Sequence, residues 1–166
     1  DEVLIEGDVR VPALVVVLPT RMQRLGRRAF NRVDVPENRV VRVSFWLGGR
    51  DAEPTANMPE NPVWTGLVNN LSAGGLQIEV DQKAINTVEP GDVLGVRISF
   101  GAAENTIYAD ALFRHAQPAQ DGKVHMGLQF LGLTESPQGL ATLQFISSKV
   151  NEFEHMQTRA QAYHHN

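Results

Sequence analysis

Val93 to Leu131 reads VLGVRISFGAAENTIYADALFRHAQPAQDGKVHMGLQFL, three strand signals in succession: Val93 to Phe100, Thr106 to His115 and Val124 to Leu131. Apolar residues in these stretches alternate with polar ones or cluster as β-branched and aromatic side chains, the signature of a strand with one face in a core. Turn chemistry punctuates them at Asp121-Gly122 and, just upstream, at Glu89-Pro90-Gly91-Asp92. Further back lie Gly75 to Val80, Trp64 to Leu71 and Val40 to Leu47, where valines and Phe45 alternate with Arg42 and Ser44. Six short strands with no helical pattern between them predict an all-β chain whose antiparallel strands form a closed or partly open six-stranded barrel, because closure is how such a chain disposes of its edges. Phe45, Phe100, Phe113 and Phe130 fall at core-like positions. Gly48 to Pro62 carries three prolines and no apolar period, so a mobile loop is expected there.

Beyond the last strand the pattern changes. Leu140, Leu143, Ile146, Val150, Phe153 and Met156 recur at helical spacing behind Ser136-Pro137, an N-cap followed by a first-turn proline. A C-terminal helix over 137–161 follows, its first half on the barrel. The half past Val150 is longer than a small barrel covers, and a helix-mediated homodimer is the alternative reading of it. At the other end, Val3 to Ile5 and Val9 to Val17 flank Glu6-Gly7-Asp8 and predict a partial β-hairpin. The expected organisation is the end of a truncated N-terminal β domain over 1–20, an arginine-rich linker over 21–37, and the barrel with its helix over 38–166.

Composition narrows the function. The chain has 166 residues, 42% hydrophobic and 20% charged, with no cysteine, which is globular and rules out a disulfide scaffold or thiolate chemistry. No apolar run approaches a membrane span, the best being Val11 to Leu18 with Pro12 inside it. The expected setting is cytoplasmic, without membrane insertion. Fifteen basic against 19 acidic residues give a net charge of −4. Resolved along the chain, Arg21 to Arg42 holds seven arginines against Asp34 and Glu37, a window of +5, which leaves −9 elsewhere. That distribution disfavours an extended polyanion such as a nucleic-acid polymer more than it disfavours a small anion.

A charge run is ordinarily a solvated face. Here every cation is arginine, the residue suited to bidentate phosphate contact and base stacking. A second element, Asn70-Leu71-Ser72-Ala73-Gly74-Gly75, lies at a strand end. A glycine turn between two strands explains Gly74 and Gly75, but it does not require Asn70 and Ser72, an amide and a hydroxyl two residues apart on one face.

Together these elements resemble the PilZ domain, the bacterial cyclic di-GMP receptor, with its R-x-x-x-R and [D/N]-x-S-x-x-G motifs. Arg28-Ala29-Phe30-Asn31-Arg32 matches the first and Asn70 to Gly75 the second. The resemblance extends to Pro90-Gly91-Asp92, to Gly127-Leu128-Gln129-Phe130 and to the closing helix. Residues 3–27 resemble the strand pair and linker of YcgR-type flagellar brake proteins. The resemblance implies a PilZ-type barrel and a binding function, with cyclic di-GMP as ligand and no cofactor. It implies that Arg28 and Arg32 clasp phosphate and guanine, that Asn70 and Ser72 fix the guanine edge, and that Gly75 lets backbone come close. Arg27, Arg24 and Gly74 are secondary members. Asn70 stands where the motif also allows Asp, at the cost of a charge-assisted bond to guanine. The implied output runs through a protein effector, such as flagellar motor or polysaccharide synthase machinery, by a switch in which the self-repelling linker orders around the ligand.

Other classes fit less well. No G-x-S-x-G, H-E-x-x-H, phosphate-binding loop or paired carboxylates appear, so the chain does not read as an enzyme. His115 and His125 sit where they could face each other across a hairpin, but two histidines on strands are more often surface residues than a metal site. A single-strand nucleic-acid barrel needs exposed aromatic platforms and a basic groove. A PilZ adaptor acting chiefly through protein contacts is the remaining alternative.

Overall fold

The computed structural model describes residues 2–6, 9–13, 30–55 and 62–163. Strands β1 (Glu2–Glu6) and β2 (Val9–Ala13) form an antiparallel pair, the expected N-terminal hairpin. The remaining strands are β3 (Val33–Asp34), β4 (Arg42–Leu47), β5 (Trp64–Ser72), β6 (Gly75–Asp81), β7 (Val93–Ser99), β8 (Thr106–Pro118) and β9 (Lys123–Leu131). Running β4-β5-β6-β9-β8-β7 and back to β4, every pairing is antiparallel and the barrel closes with six strands. The expected fold stands, with strand ends displaced by one to three residues. The short β3 is an addition: it pairs with the end of β5, Val33 opposite Leu71 and Asp34 opposite Asn70, so part of the segment read as linker is built onto the barrel wall. One helical turn, α1 (Gln82–Ile85), interrupts the β-only reading, with the Asp81 carboxylate accepting from the Lys83 amide at 3.0 Å.

Alternation produces the core. Along β8, Ile107, Ala109, Ala111 and Phe113 point inward, and along β9 Val124, Met126, Leu128 and Phe130 do so. Phe45, Phe100 and Phe113 are buried as expected. Period-2 order fails at two bulges. In β5 the register shifts between Val68 and Asn70, with Asn69 the extra residue; in β8 it shifts between Phe113 and His115, with Arg114 the extra residue. A bulge lets two neighbouring residues share the outer face while the core side continues unbroken.

The loop after β4 departs from expectation over its first half. Trp46 is fully buried and donates from Nε1 to the Gly49 carbonyl at 2.7 Å; Gly49 bridges to Leu94, the Arg50 amide donates to Asp110, and Arg97 pairs with Glu53 at 2.7 Å. Residues 48–55 are therefore docked rather than free; 56–61 lie outside the described residues.

Helix α2 (Pro137–Tyr163) begins as expected, the Gly139 amide donating to the Ser136 hydroxyl at 3.0 Å. Ile146, Val150 and Phe153 are buried, whereas Leu140 is exposed. Phe153 and Phe145 flank Phe100, the second edge-on at 5.5 Å. The half past Val150 is also occupied within the chain: Glu154 accepts from the Asn31 amide at 2.7 Å, and Gln157 donates to the Asp34 carbonyl at 2.9 Å. The helix covers the segment that leads into the barrel, which removes the length argument for a dimer.

A charged seam closes this side. Lys149 reaches Glu104, in the loop between β7 and β8, at 2.6 Å and Glu152 at 2.7 Å, and Arg39 pairs with the same Glu104. Hydrogen bonding from Lys149 is the main cause holding the Glu104 carboxyl below its ordinary value, against partial burial and with help from Arg39. Burial pulls the Lys149 ammonium down, but its bonds to Glu104 and Glu152 outweigh that and leave it raised.

Candidate ligand-binding site

The hairpin between β5 and β6 turns in two residues, Ala73 and Gly74, with Ser72 paired to Gly75. Ser72 is 4% exposed, and its hydroxyl ties the turn by accepting from the Gly74 amide at 3.3 Å and donating to the Gly75 carbonyl at 3.1 Å. Its proton is thereby committed to the backbone. Ser72 shapes the loop and offers a ligand only acceptor capacity. Gly75 lies against β9, where a Cβ would fall 2.1 Å from the Leu128 carbonyl oxygen. Backbone cannot yield there, so only glycine permits this approach. The Phe130 amide donates to the Gly74 carbonyl at 3.0 Å, fastening the turn to β9.

Over this turn opens a cavity of about 410 Å³. The hairpin supplies Ser72, Gly74 and Gly75, and the segment before β3 supplies Phe30 and Arg32. Strand β8 adds Arg114 and His115, and β9 adds Gly127 to Gln129. No carboxylate lines it among the described residues, while two guanidiniums do. Such a lining suits an anion bearing flat, hydrogen-bonding groups.

The structure brings together Arg32, Ser72, Gly74 and Gly75, as the sequence reading expects. Asn70 stands one step along β5, outside the lining. It donates to Gln77 Oε1 at 2.9 Å, and its own Oδ1 is buried with no hydrogen-bond partner among the described residues. That is a spare acceptor, costly to leave unmet. Arg28, Arg27 and Arg24 lie outside the described residues.

Sequence reasoning missed Phe30, Arg114, His115 and Gln129 as cavity residues. The one available signal was the adjacent pair Arg114-His115 inside a strand, where strict alternation would bury one of them. His115 and His125 do not face each other across the hairpin. His115 pairs with Gly127 and His125 with Gln117, while the His125 ring approaches Glu79 at 3.5 Å. No group of three metal-ligating side chains occurs among the described residues, and no described helix is long and apolar enough to cross a membrane.

Comparison with known proteins follows the same lines. The barrel is similar to the PilZ domain of YcgR from Escherichia coli, solved with c-di-GMP, at 15% identity and TM-score 0.58, covering 82% of this chain and 97% of that one. It is similar to K. pneumonia MrkH in its c-di-GMP complex, at 13% identity and TM-score 0.60, covering 82% and 56%. Bacillus subtilis inhibitor of motility (MotI/DgrA) matches at 18% identity and TM-score 0.55, covering 93% and 63%. The chain spans about half of YcgR at its longer solved length, 51%. No curated protein sequence matches it. These likenesses carry the fold, and the family rests on sequence: the PilZ domain model matches residues 26–145, a span that includes both arginines of R-x-x-x-R, the hairpin of the second motif and the last barrel strand, so the chain belongs to the PilZ domain family.

Proposed function

We propose that this chain is a cyclic di-GMP receptor whose ligand occupies the cavity above the Ser72–Gly75 turn. The observation that carries the reading is the lining itself: two guanidiniums and no carboxylate around a hairpin that only glycine allows to lie so close to β9. Cyclic di-GMP offers two phosphates and two guanines, and guanine O6 and N7 are paired acceptors that match a planar arginine. In this reading Arg28 and Arg32 clasp phosphate and guanine, and Arg27 and Arg24 extend the cationic wall. Asn70 fixes the guanine edge from beside the lining, Ser72 holds the turn, and Gly74 and Gly75 keep the backbone near.

The output is a switch acting in the cytoplasm on a protein effector, of the YcgR type that acts on motility. The physical support is a tether beside the Gln157–Asp34 bond: Asn31, inside R-x-x-x-R, is bonded to Glu154 of α2, so ordering of the arginine segment bears on the far half of the helix. Residues 21–32, the part of the arginine-rich segment ahead of β3, act as the responsive linker between the N-terminal hairpin and the barrel.

Calorimetric titration with cyclic di-GMP, alongside an oligonucleotide of equal charge, tests the reading. Saturable cyclic di-GMP binding is expected, lowered about a hundredfold in Arg32→Ala, the loss of a bidentate charge-assisted contact. Preference for the oligonucleotide, or an Arg32→Ala variant that binds like wild type, overturns it.

A further inference from the structure

The wall of the cavity contributed by β8 exists because of the bulge. Phe113 faces Leu128 in the core and His115 faces Gly127, so the extra residue, Arg114, and its neighbour both line the cavity. His115 is closely seated. A Cβ placed on Gly127 would fall 2.3 Å from its Cε1, 2.7 Å from Nε2 and 2.8 Å from Nδ1, so the imidazole lies across bare backbone where any other residue would displace it. A second ring is set the same way: Phe30 rests against Gly74, whose Cβ would meet Cδ2 at 2.5 Å, and yet half of Phe30 stays exposed at 51%. Two flat rings backed by glycines, beside two guanidiniums, form a surface suited to the faces of planar bases.

We propose that His115, laid over Gly127, is a base-stacking platform of this cavity, with Phe30 the second ring and Arg114 a phosphate contact beside it. The inference rests on the cyclic dinucleotide reading and deepens it. It divides the labour, with Arg32 and Asn70 reading guanine edges while His115 holds a base by its face. Stacking is tolerant of base identity because every base presents a π-face. Loss of His115 therefore lowers affinity without altering the preference for guanine. The competing role is purely structural, an aromatic ring shielding a strand glycine from water.

Titration of wild type, His115→Ala, His115→Phe and Arg32→Ala with cyclic di-GMP separates the two roles, read together with thermal unfolding and proton NMR of the wild-type His115 ring. His115→Ala is expected to bind about tenfold more weakly, within the ~5- to 150-fold span of one lost base stack. His115→Phe keeps the flat face and stays within about threefold of wild type. The His115 ring protons move upfield when a base stacks on them, which a shielding role does not produce. If His115→Ala fails to fold, His115→Phe and the ring protons still decide. Wild-type ring protons unmoved by saturating ligand, or a folded His115→Ala variant of full affinity, overturn the proposal while Arg32→Ala still loses binding. No binding by wild type overturns instead the reading beneath it.

Discussion

At the seam between α2 and the loop after β7, Arg39 and Lys149 meet Glu104 and Glu152, each cation with a carboxylate of the same chain in reach. At the cavity, Arg32 and Arg114 sit in a lining that has no carboxylate among the described residues. Both places concentrate arginine or lysine on a small barrel, and the carboxylates in their surroundings separate them. The seam completes its electrostatics internally and so fastens a helix. The cavity's lining presents guanidiniums and, among the described residues, no carboxylate, a surface that suits an anion from outside. The difference also predicts opposite phenotypes. Damage at the seam appears in stability and leaves affinity alone, whereas damage to cavity cations appears in affinity and leaves stability alone.

The sharpest break in that separation is a residue serving both. Gly75→Val drives a side chain into the Leu128 carbonyl, and overpacking against backbone costs about 3 kcal/mol. Chemical denaturation should show that loss, and calorimetry should show ligand binding lost with it. Lys149→Met tests the seam alone. It leaves the partly buried Glu104 with one cation fewer, and a loss of about 1–2 kcal/mol is expected, below the cost of stranding a fully buried charge because water reaches the site. Cyclic di-GMP affinity should be unchanged.

The pH profile of unfolding sharpens the same point. Glu104 is held below its ordinary 4.5, so its contribution is present above that value and lost as pH falls through the lowered folded pKa. Lys149 is raised above 10.5, so its contribution is present below that value and lost as pH climbs past it. The seam therefore works at full strength between those limits, and Lys149→Met should flatten both edges of the profile. The smallest effect is expected from Asn70→Asp. A carboxylate accepts more strongly from a guanine N–H but faces Asp34 across the β3–β5 pair, so affinity rises only about threefold. An affinity lower than wild type would show that position 70 does not meet the guanine edge.

The six barrel strands were readable because each buries one face, and burial writes a period of two into the residues. What escaped was whatever interrupts that period briefly. Val33–Asp34 is two residues long and carries no pattern, and its strand character comes from the β5 edge it meets. Residues 48–55 look like loop because their docking comes from contacts with the buried Trp46 and with the distant Leu94, Arg97 and Asp110, which no local pattern records. For the site, the hairpin half was legible from Asn70 to Gly75, since a tight turn demands particular residues. The β8 half was not, because Arg114 and His115 reach the cavity through strand pairing nearly 40 residues further on and through a bulge that single-sequence alternation does not place.

The bulge at Arg114 also alters what its strand tolerates in length. Elsewhere in a strand, deleting one residue inverts every side chain beyond the cut and turns the core face outward. At an extra residue the deletion restores ordinary pairing: without Arg114, Phe113 still faces Leu128 and His115 still faces Gly127. The position is a spare place in the strand, where lineages can gain or lose a residue at the mouth of the site while the barrel's register stays in frame.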